Sequence, residues 1–163
     1  MTTIAWTRAA RCLVAALCLA ILSGCGGGLV RRVSEPAIRV QQLTVAADGS
    51  WSAQLRIENF SSIPMKFESV ELTLDVDGTR AGTFSLRPAI SVGPESADVV
   101  EAGMTPDAQV RLIVADALAS GRGIAYTLQG RLGAVPEDGR LRNFDIERSS
   151  MLSPTPGLPG VLR

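Results

Sequence analysis

Glu71, Asp75 and Asp77 stand close together in "VELTLDVDG", and clustered carboxylates can bind calcium or cleave glycosidic bonds. "DVDGT" resembles the start of a calcium loop, but Thr79 takes the next ligand position and Leu86 falls where a bidentate glutamate belongs. Alternating carboxylates on one strand are read instead as its solvated face. Histidine is absent, which removes the commonest general base, the commonest metal ligand and any Ser-His-Asp device. Zinc has no ligand set. Lys66 is the only lysine, and Met65 and Phe67 flank it as in an ordinary strand, so a serine–lysine pair is not expected. Gly26 to Gly28 follow no strand and open no helix, which argues for a tether over a phosphate-cradling loop. No catalytic residue, cofactor site or metal site is predicted.

Cysteine supplies the remaining chemistry. Arg8 and Arg11 precede a charge-free apolar run from Cys12 to Leu22, and small residues follow. A positive start, a short apolar centre and a small-residue exit describe a secretory signal peptide. Eleven apolar residues are too few to cross a bilayer, which takes roughly 20. Leu22, Ser23, Gly24 and Cys25 resemble the lipobox of bacterial lipoproteins. What that resemblance implies is a diacylglyceryl group on the Cys25 thiol, cleavage before Cys25 and acylation of the freed amine. Two or more acyl chains hold a protein on a membrane stably, whereas one does not, each buried methylene adding about 0.8 kcal/mol. Cys12 and Cys18 would leave with residues 1–24, so the mature chain would keep one cysteine, lipidated, and no disulfide. Gly26 stands where an aspartate tends to retain lipoproteins in the inner membrane, which favours the inner leaflet of the outer membrane, facing the periplasm.

Residues 25–163 suffice for one domain with a core of its own. Without Arg8 and Arg11, fourteen basic residues face sixteen acidic ones, a net charge of about −2. Without a basic patch, and with few aromatic residues for stacking, no nucleic-acid partner is expected.

Residues 25–36 read as a lipidated flexible tether; ten such residues reach roughly 18 Å in r.m.s. terms. From Ala37 the period of two that marks half-buried strands takes over. "AIRVQQLTVAADGSWSAQLRIENF" predicts two strands about Asp48-Gly49. Val70, Leu72, Leu74 and Val76 alternate with Glu71, Thr73, Asp75 and Asp77, and Asp77-Gly78 turns the chain. "AGTFSLRPAISVG" continues as a strand in which Pro88 marks an edge or a bulge. After a strand near Ala97 to Met104, "TPDAQVRLIVADALASGRG" predicts the one helix. Thr105 would cap it, Pro106 would sit in its first turn, Asp107 would complement the dipole and Gly121 would end it. Val110, Ile113, Val114, Ala117 and Leu118 form its apolar stripe. Two strands, "GIAYTLQGRLGAV" and "GRLRNFDIERS", close the domain, and residues 149–163 read as a Pro/Gly-rich disordered tail. The expected fold is all-β, a two-sheet antiparallel sandwich of the fibronectin/immunoglobulin-like kind with about seven strands and one helix before the last two.

At "IENFSSIPMKFESVELTLDVDG" the pattern resembles the LEA14-like family, late embryogenesis abundant group 2 or the WHy domain. Asn59 falls on the first asparagine of that family's Asn-Pro-Asn turn, Pro64 on the later proline and Gly78 on the glycine that closes the next strand. Tyr126 and Gly130 fall where the family often shows a tyrosine and a glycine after its helix. Phe60 and Ser61 depart from the turn triplet. The likeness spans residues 37–148. It implies a sandwich without enzyme activity or cofactor, linked to desiccation and osmotic stress. Independently of the family, Asn59 suits an Asx-turn and Pro64 fixes φ ahead of a strand.

Three functions fit these readings: a membrane-tethered protective or binding domain acting on client proteins or membranes, an assembly accessory of an envelope complex, and a lipid carrier holding an acyl chain between the sheets.

Overall fold

A computed structural model describes residues 31–137 and 139–163 of the protein. The apolar run, the lipobox residues Leu22, Ser23 and Gly24, and Cys25 itself lie outside the described residues.

Nine strands and one helix make up the described chain: β1 (Ala37–Val45), β2 (Trp51–Asn59), β3 (Met65–Val76), β4 (Thr79–Leu86), β5 (Ile90–Val92), β6 (Ser96–Met104), α1 (Ala108–Ser120), β7 (Ile124–Pro136), β8 (Arg142–Leu152) and β9 (Val161–Leu162). They form two antiparallel sheets, one ordered β6-β2-β1-β9 and the other β4-β3-β7-β8, with β5 also on β3. This is the all-β sandwich that the alternation predicts.

The β3 pattern shows why the register holds. Val70, Leu72, Leu74 and Val76 are buried, while Glu71 is exposed. A slip of one residue would turn the acidic set into the core, which strongly specifies the pairing. Each buried aliphatic side chain contributes about 1.5–3 kcal/mol relative to exposure. Trp51, Phe67, Phe84, Leu55, Leu74 and Leu128 fill the space between the sheets, each with 2% or less of its surface reachable by water. An open tunnel for an acyl chain would leave such lining accessible; the expected lipid carrier finds no room among these residues.

Four expectations are corrected. The strands number nine, and three of them follow the helix. One added strand comes from Pro88, which breaks the predicted single strand into β4 and β5 along the same edge of β3, with Ala89 at φ 50°. The second comes from the predicted tail. β8 continues to Leu152, Pro154 bridges Leu162, and β9 pairs with Leu43 and Thr44 of β1. Gly157 and Gly160, both at φ 77°, turn the chain back so that its last residues cover part of the outer edge of β1. Two-residue strands have no period to read, so prolines and glycines there mimic disorder.

The third correction concerns the tether. From Arg31 onward the chain is fastened to the sandwich: the Arg32 N–H donates to Ser62 Oγ (2.8 Å), the Ser62 N–H to the Arg32 carbonyl (3.0 Å) and the Ser34 N–H to Ser61 Oγ (3.0 Å). Val33 packs against the core. The fourth concerns the helix start. Asp107, not Thr105, is the N-cap, its side chain caps nothing, and Pro106 lies before the helix. The Asp107 N–H donates to the Ala81 carbonyl of β4 at 3.1 Å, so a tertiary partner sets where the helix begins. The apolar stripe packs as expected: Val110, Val114 and Ala117 are buried, and Ile113 and Leu118 lean on the core. Gly121, at φ 67°, ends the helix with the paired bonds Gly121 N–H to Leu118 and Arg122 N–H to Ala117.

Two turns behave as their sequences require. Asp77 (φ 46°) and Gly78 (φ 76°) make a two-residue hairpin between Val76 and Thr79. Between β1 and β2, Gly49 takes φ 83° and the Asp48 carboxylate accepts the Ser50 hydroxyl (2.6 Å) and N–H (2.9 Å). Those bonds, the hydroxyl foremost, hold Asp48 below its ordinary pKa.

A buried hydrogen bond in mid-sandwich ties one sheet to the other. The β1–β2 register shifts between Val40 and Gln42, and the buried Val40 N–H donates to the Tyr126 hydroxyl of β7 at 3.2 Å. Replacing Tyr126 by Phe keeps the ring and removes the acceptor. Leaving a buried donor unsatisfied costs about 1–3 kcal/mol. Urea unfolding of Tyr126→Phe should therefore show a lower midpoint by about that free energy, with an unchanged slope.

Candidate functional site

Strand direction places the loops in two groups. One end of the sandwich gathers residues 31–36, the β2–β3 loop, the β5–β6 turn and the β7–β8 loop. The other gathers the β1–β2 and β3–β4 turns, α1 and the β8–β9 connection. At the first end Glu95 N–H donates to Ser61 O (3.1 Å) and Glu137 N–H to Pro64 O (3.0 Å), so three loops converge on residues 59–64.

Asn59 stands at the centre. It ends β2, is 1% exposed, and with Ser61 makes up the buried polar positions among the described residues. Its Oδ1 accepts the Ser61 N–H at 2.9 Å, closing an Asx-turn. Its Nδ2 donates to the carbonyls of Ile63 (2.9 Å), Val92 (3.1 Å) and Gly93 (2.8 Å). One amide thus joins the last residue of a strand in one sheet to both the β3 approach and the end of β5 in the other. Pro64 supplies the φ that turns the chain into β3, and its carbonyl holds Glu137. Gly78 lies at the opposite end, in the β3–β4 hairpin, so the structure separates it from Asn59 and Pro64.

The departures from the family turn become intelligible here. The Asx bond uses the N–H of residue 61, which a serine supplies as well as an asparagine would. Phe60 replaces proline at a position whose side chain is 49% exposed. Ser61 is the residue that sequence reasoning missed. Its hydroxyl donates to Ser34 O (3.3 Å) or Met65 Sδ (3.0 Å) and accepts the Ser34 N–H, fastening the incoming chain. Only its place two residues after Asn59 could have pointed to it.

Beside this junction a cleft of about 330 Å³ is lined by Arg32, Arg56, Glu58, Phe60, Glu95 and Ser96 among others. Its charges compensate one another: Arg56 lies 3.0 Å from Glu58, and Arg32 lies 3.6 Å from Glu95 while donating to the Phe60 carbonyl at 3.2 Å. Elsewhere two of the three carboxylates from the sequence are taken by arginines. Asp75 pairs with Arg80 (3.5 Å) and Asp77 with Arg122 (3.2 Å); Glu71 stands opposite Arg131 across the ladder, but that guanidinium lies 3.7 Å from Asp145. Asp77 first and Asp116 second hold the Arg122 guanidinium above its ordinary pKa. Ser91 stands opposite Lys66, but the ammonium lies 2.7 Å from Glu68. Among the described residues no three His, Cys, Asp or Glu side chains come together as a metal cage, and no helix is long and apolar enough to cross a membrane.

Fold and junction together define a class: an antiparallel sandwich whose buried polar groups fasten loops at one end. The family profile described as late embryogenesis abundant protein (LEA_2) matches residues 54–147, and the chain belongs to that family. Comparison with curated protein sequences returns no match. Among solved structures, one of a protein from Archaeoglobus fulgidus is similar over 76% of this chain and 98% of its own, at 12% identity and a TM-score of 0.43. A solution structure from Arabidopsis thaliana is similar over 78% of this chain and 85% of its own, at 15% identity and a TM-score of 0.46.

Proposed function

We propose that the protein is a lipid-anchored, non-catalytic LEA_2 domain of the bacterial envelope. Acyl chains on Cys25 hold it at the inner leaflet of the outer membrane, and its sandwich faces the periplasm, where it shields proteins or membranes under desiccation or osmotic stress. The observation that carries this reading is Leu22-Ser23-Gly24-Cys25 set directly behind the apolar run. The compensated charges of the cleft at Asn59 support a surface that contacts partners without transforming them.

Cells fed labelled palmitate should incorporate it into the wild-type protein and not into Cys25→Ser. The wild type should fractionate with membranes through its diacylglyceryl and N-acyl chains, each buried methylene contributing about 0.8 kcal/mol. An unlabelled wild type recovered in the aqueous phase would refute the anchor. A deletion strain that survives drying and osmotic shock as well as its parent would refute the protective role.

A second reading, docking within an envelope complex, is favoured by the apolar side chains at the helix end. Leu112 is 74% exposed and Leu158 47%. It predicts a single stoichiometric crosslinked partner that Leu112→Asp abolishes. Many weak clients, unaffected by that substitution, would favour protection instead.

A further inference from the structure

The two ends of the sandwich differ in what they can reach. Arg31 to Ser34 are bonded to the Asn59 end, through Ser61, Ser62 and Glu137, which Arg31 meets at 3.2 Å. From Cys25 to Arg31 the chain has six peptide steps, which span at most about 20 Å even when fully extended. β3 alone, with 12 residues, runs about 40 Å from one end to the other. An anchor at Cys25 therefore brings the Asn59 end to the lipid and leaves the helix end beyond its reach.

The surface at that end has the composition of an interfacial contact. Phe60, in the β2–β3 loop, is 49% exposed, and Leu141, in the β7–β8 loop, is 57% exposed. Arg32, Arg140 and Arg142 stand beside them in sequence or in contact, Arg32 through its bond to the Phe60 carbonyl. Aromatic and aliphatic tips among arginines suit the boundary between head groups and acyl chains, where the ring or isobutyl group is buried and the guanidinium stays with phosphate. Glu95 and Glu137 offset part of that charge, so the contact depends on insertion more than on attraction to anionic lipid.

Resting on the lipid anchor assigned above, we propose that the Asn59 end lies on the bilayer, with Phe60 and Leu141 dipping into its interface and α1 presented to the periplasm. The occupant of this apolar surface is phospholipid. The anchor then fixes an orientation as well as a location, and the groove lined by Leu118 and Leu158 faces any protein partner.

Site-specific fluorescence tests the proposal. The processed full chain has its one cysteine acylated, so Phe60→Cys, Leu141→Cys or Leu112→Cys introduces a single free thiol for an environment-sensitive label. The lipidated proteins are reconstituted into vesicles of phosphatidylethanolamine and phosphatidylglycerol with and without brominated acyl chains. Labels at 60 and 141 should shift to shorter wavelength and lose at least about half their emission to bromine, while the label at 112 should be unaffected. Arg140→Cys, exposed on the same loop, gives a second report on that end should Leu141→Cys weaken the fold. Quenching at 112, or none at 60, 140 and 141 while the protein still sediments with vesicles, would overturn the orientation and leave the anchor standing. Failure to sediment at all would overturn both.

Discussion

Asn59→Leu should unfold at markedly lower denaturant than the wild type, by a free energy of about 3–5 kcal/mol. Leucine matches the amide in shape and keeps none of its bonds. The carbonyls of Ile63 and Val92 and the N–H of Ser61 would lose the amide in a site 1% exposed, while the Gly93 carbonyl would keep only the Ser96 hydroxyl. Each orphaned buried group costs about 1–3 kcal/mol, and partial relaxation of the loop keeps the total below their sum. Asn59→Asp separates the donors from the acceptor. A carboxyl can still accept the Ser61 N–H, but it can donate to a carbonyl only when protonated. Its folded-state pKa is therefore raised above the unfolded value of about 3.9. Between those two values the folded state holds a proton that the unfolded state has released, so stability falls as pH rises from about 4. Chemical denaturation of Asn59→Asp across that range should show the fall, and the wild type should not. A flat profile for the variant would show that the three carbonyl bonds contribute little.

Gly130→Ala should cost about 3–4 kcal/mol. Gly130 sits in β7 at φ 152°, with Leu72 of β3 on one side and Ile146 of β8 on the other. A Cβ there would overlap the Glu71 carbonyl oxygen and come within 3.0 Å of Leu72 Cα, both of them backbone that cannot rotate away. Overpacking of this kind usually costs 1–3 kcal/mol, and the positive φ adds a further penalty for any L side chain. For a domain of this size the melting temperature should drop by roughly 10 °C or more. Gly103→Ala on edge strand β6 is the control, since the nearest atom to its added methyl is the Trp51 carbonyl oxygen at 3.8 Å. It should melt within a degree or two of the wild type. Equal melting of both variants would mean that β3 and β7 can part to admit a methyl group.

These two residues show how far local sequence reaches. The Asn59 turn was legible because an Asx-turn is made between residues two apart, and side-chain chemistry alone dictates it. Its carbonyl partners on and beyond β5 were not, because Val92 and Gly93 lie more than thirty residues downstream. For the same reason Ser61 looked like a departure from a motif, and its grip on Ser34 depends on which loop the incoming chain crosses. Gly130 could be named from the family likeness, yet its necessity comes from the approach of a neighbouring strand that no period along β7 reveals.

By itself the sequence determined the properties that act over a few residues. Those are the alternation that makes β3 two-faced, the positive-φ turn at Asp77-Gly78, the apolar stripe of the helix, and the short apolar run from Cys12 to Leu22 that precedes Cys25. Tertiary structure decided what depends on partners distant along the chain. It moved the helix start to Asp107, because the Ala81 carbonyl claims its N–H. It turned the proline-rich C-terminus into a strand, because the free edge of β1 offers Leu43 and Thr44 as partners. Backbone groups must be satisfied somewhere, and only the assembled sheets show where.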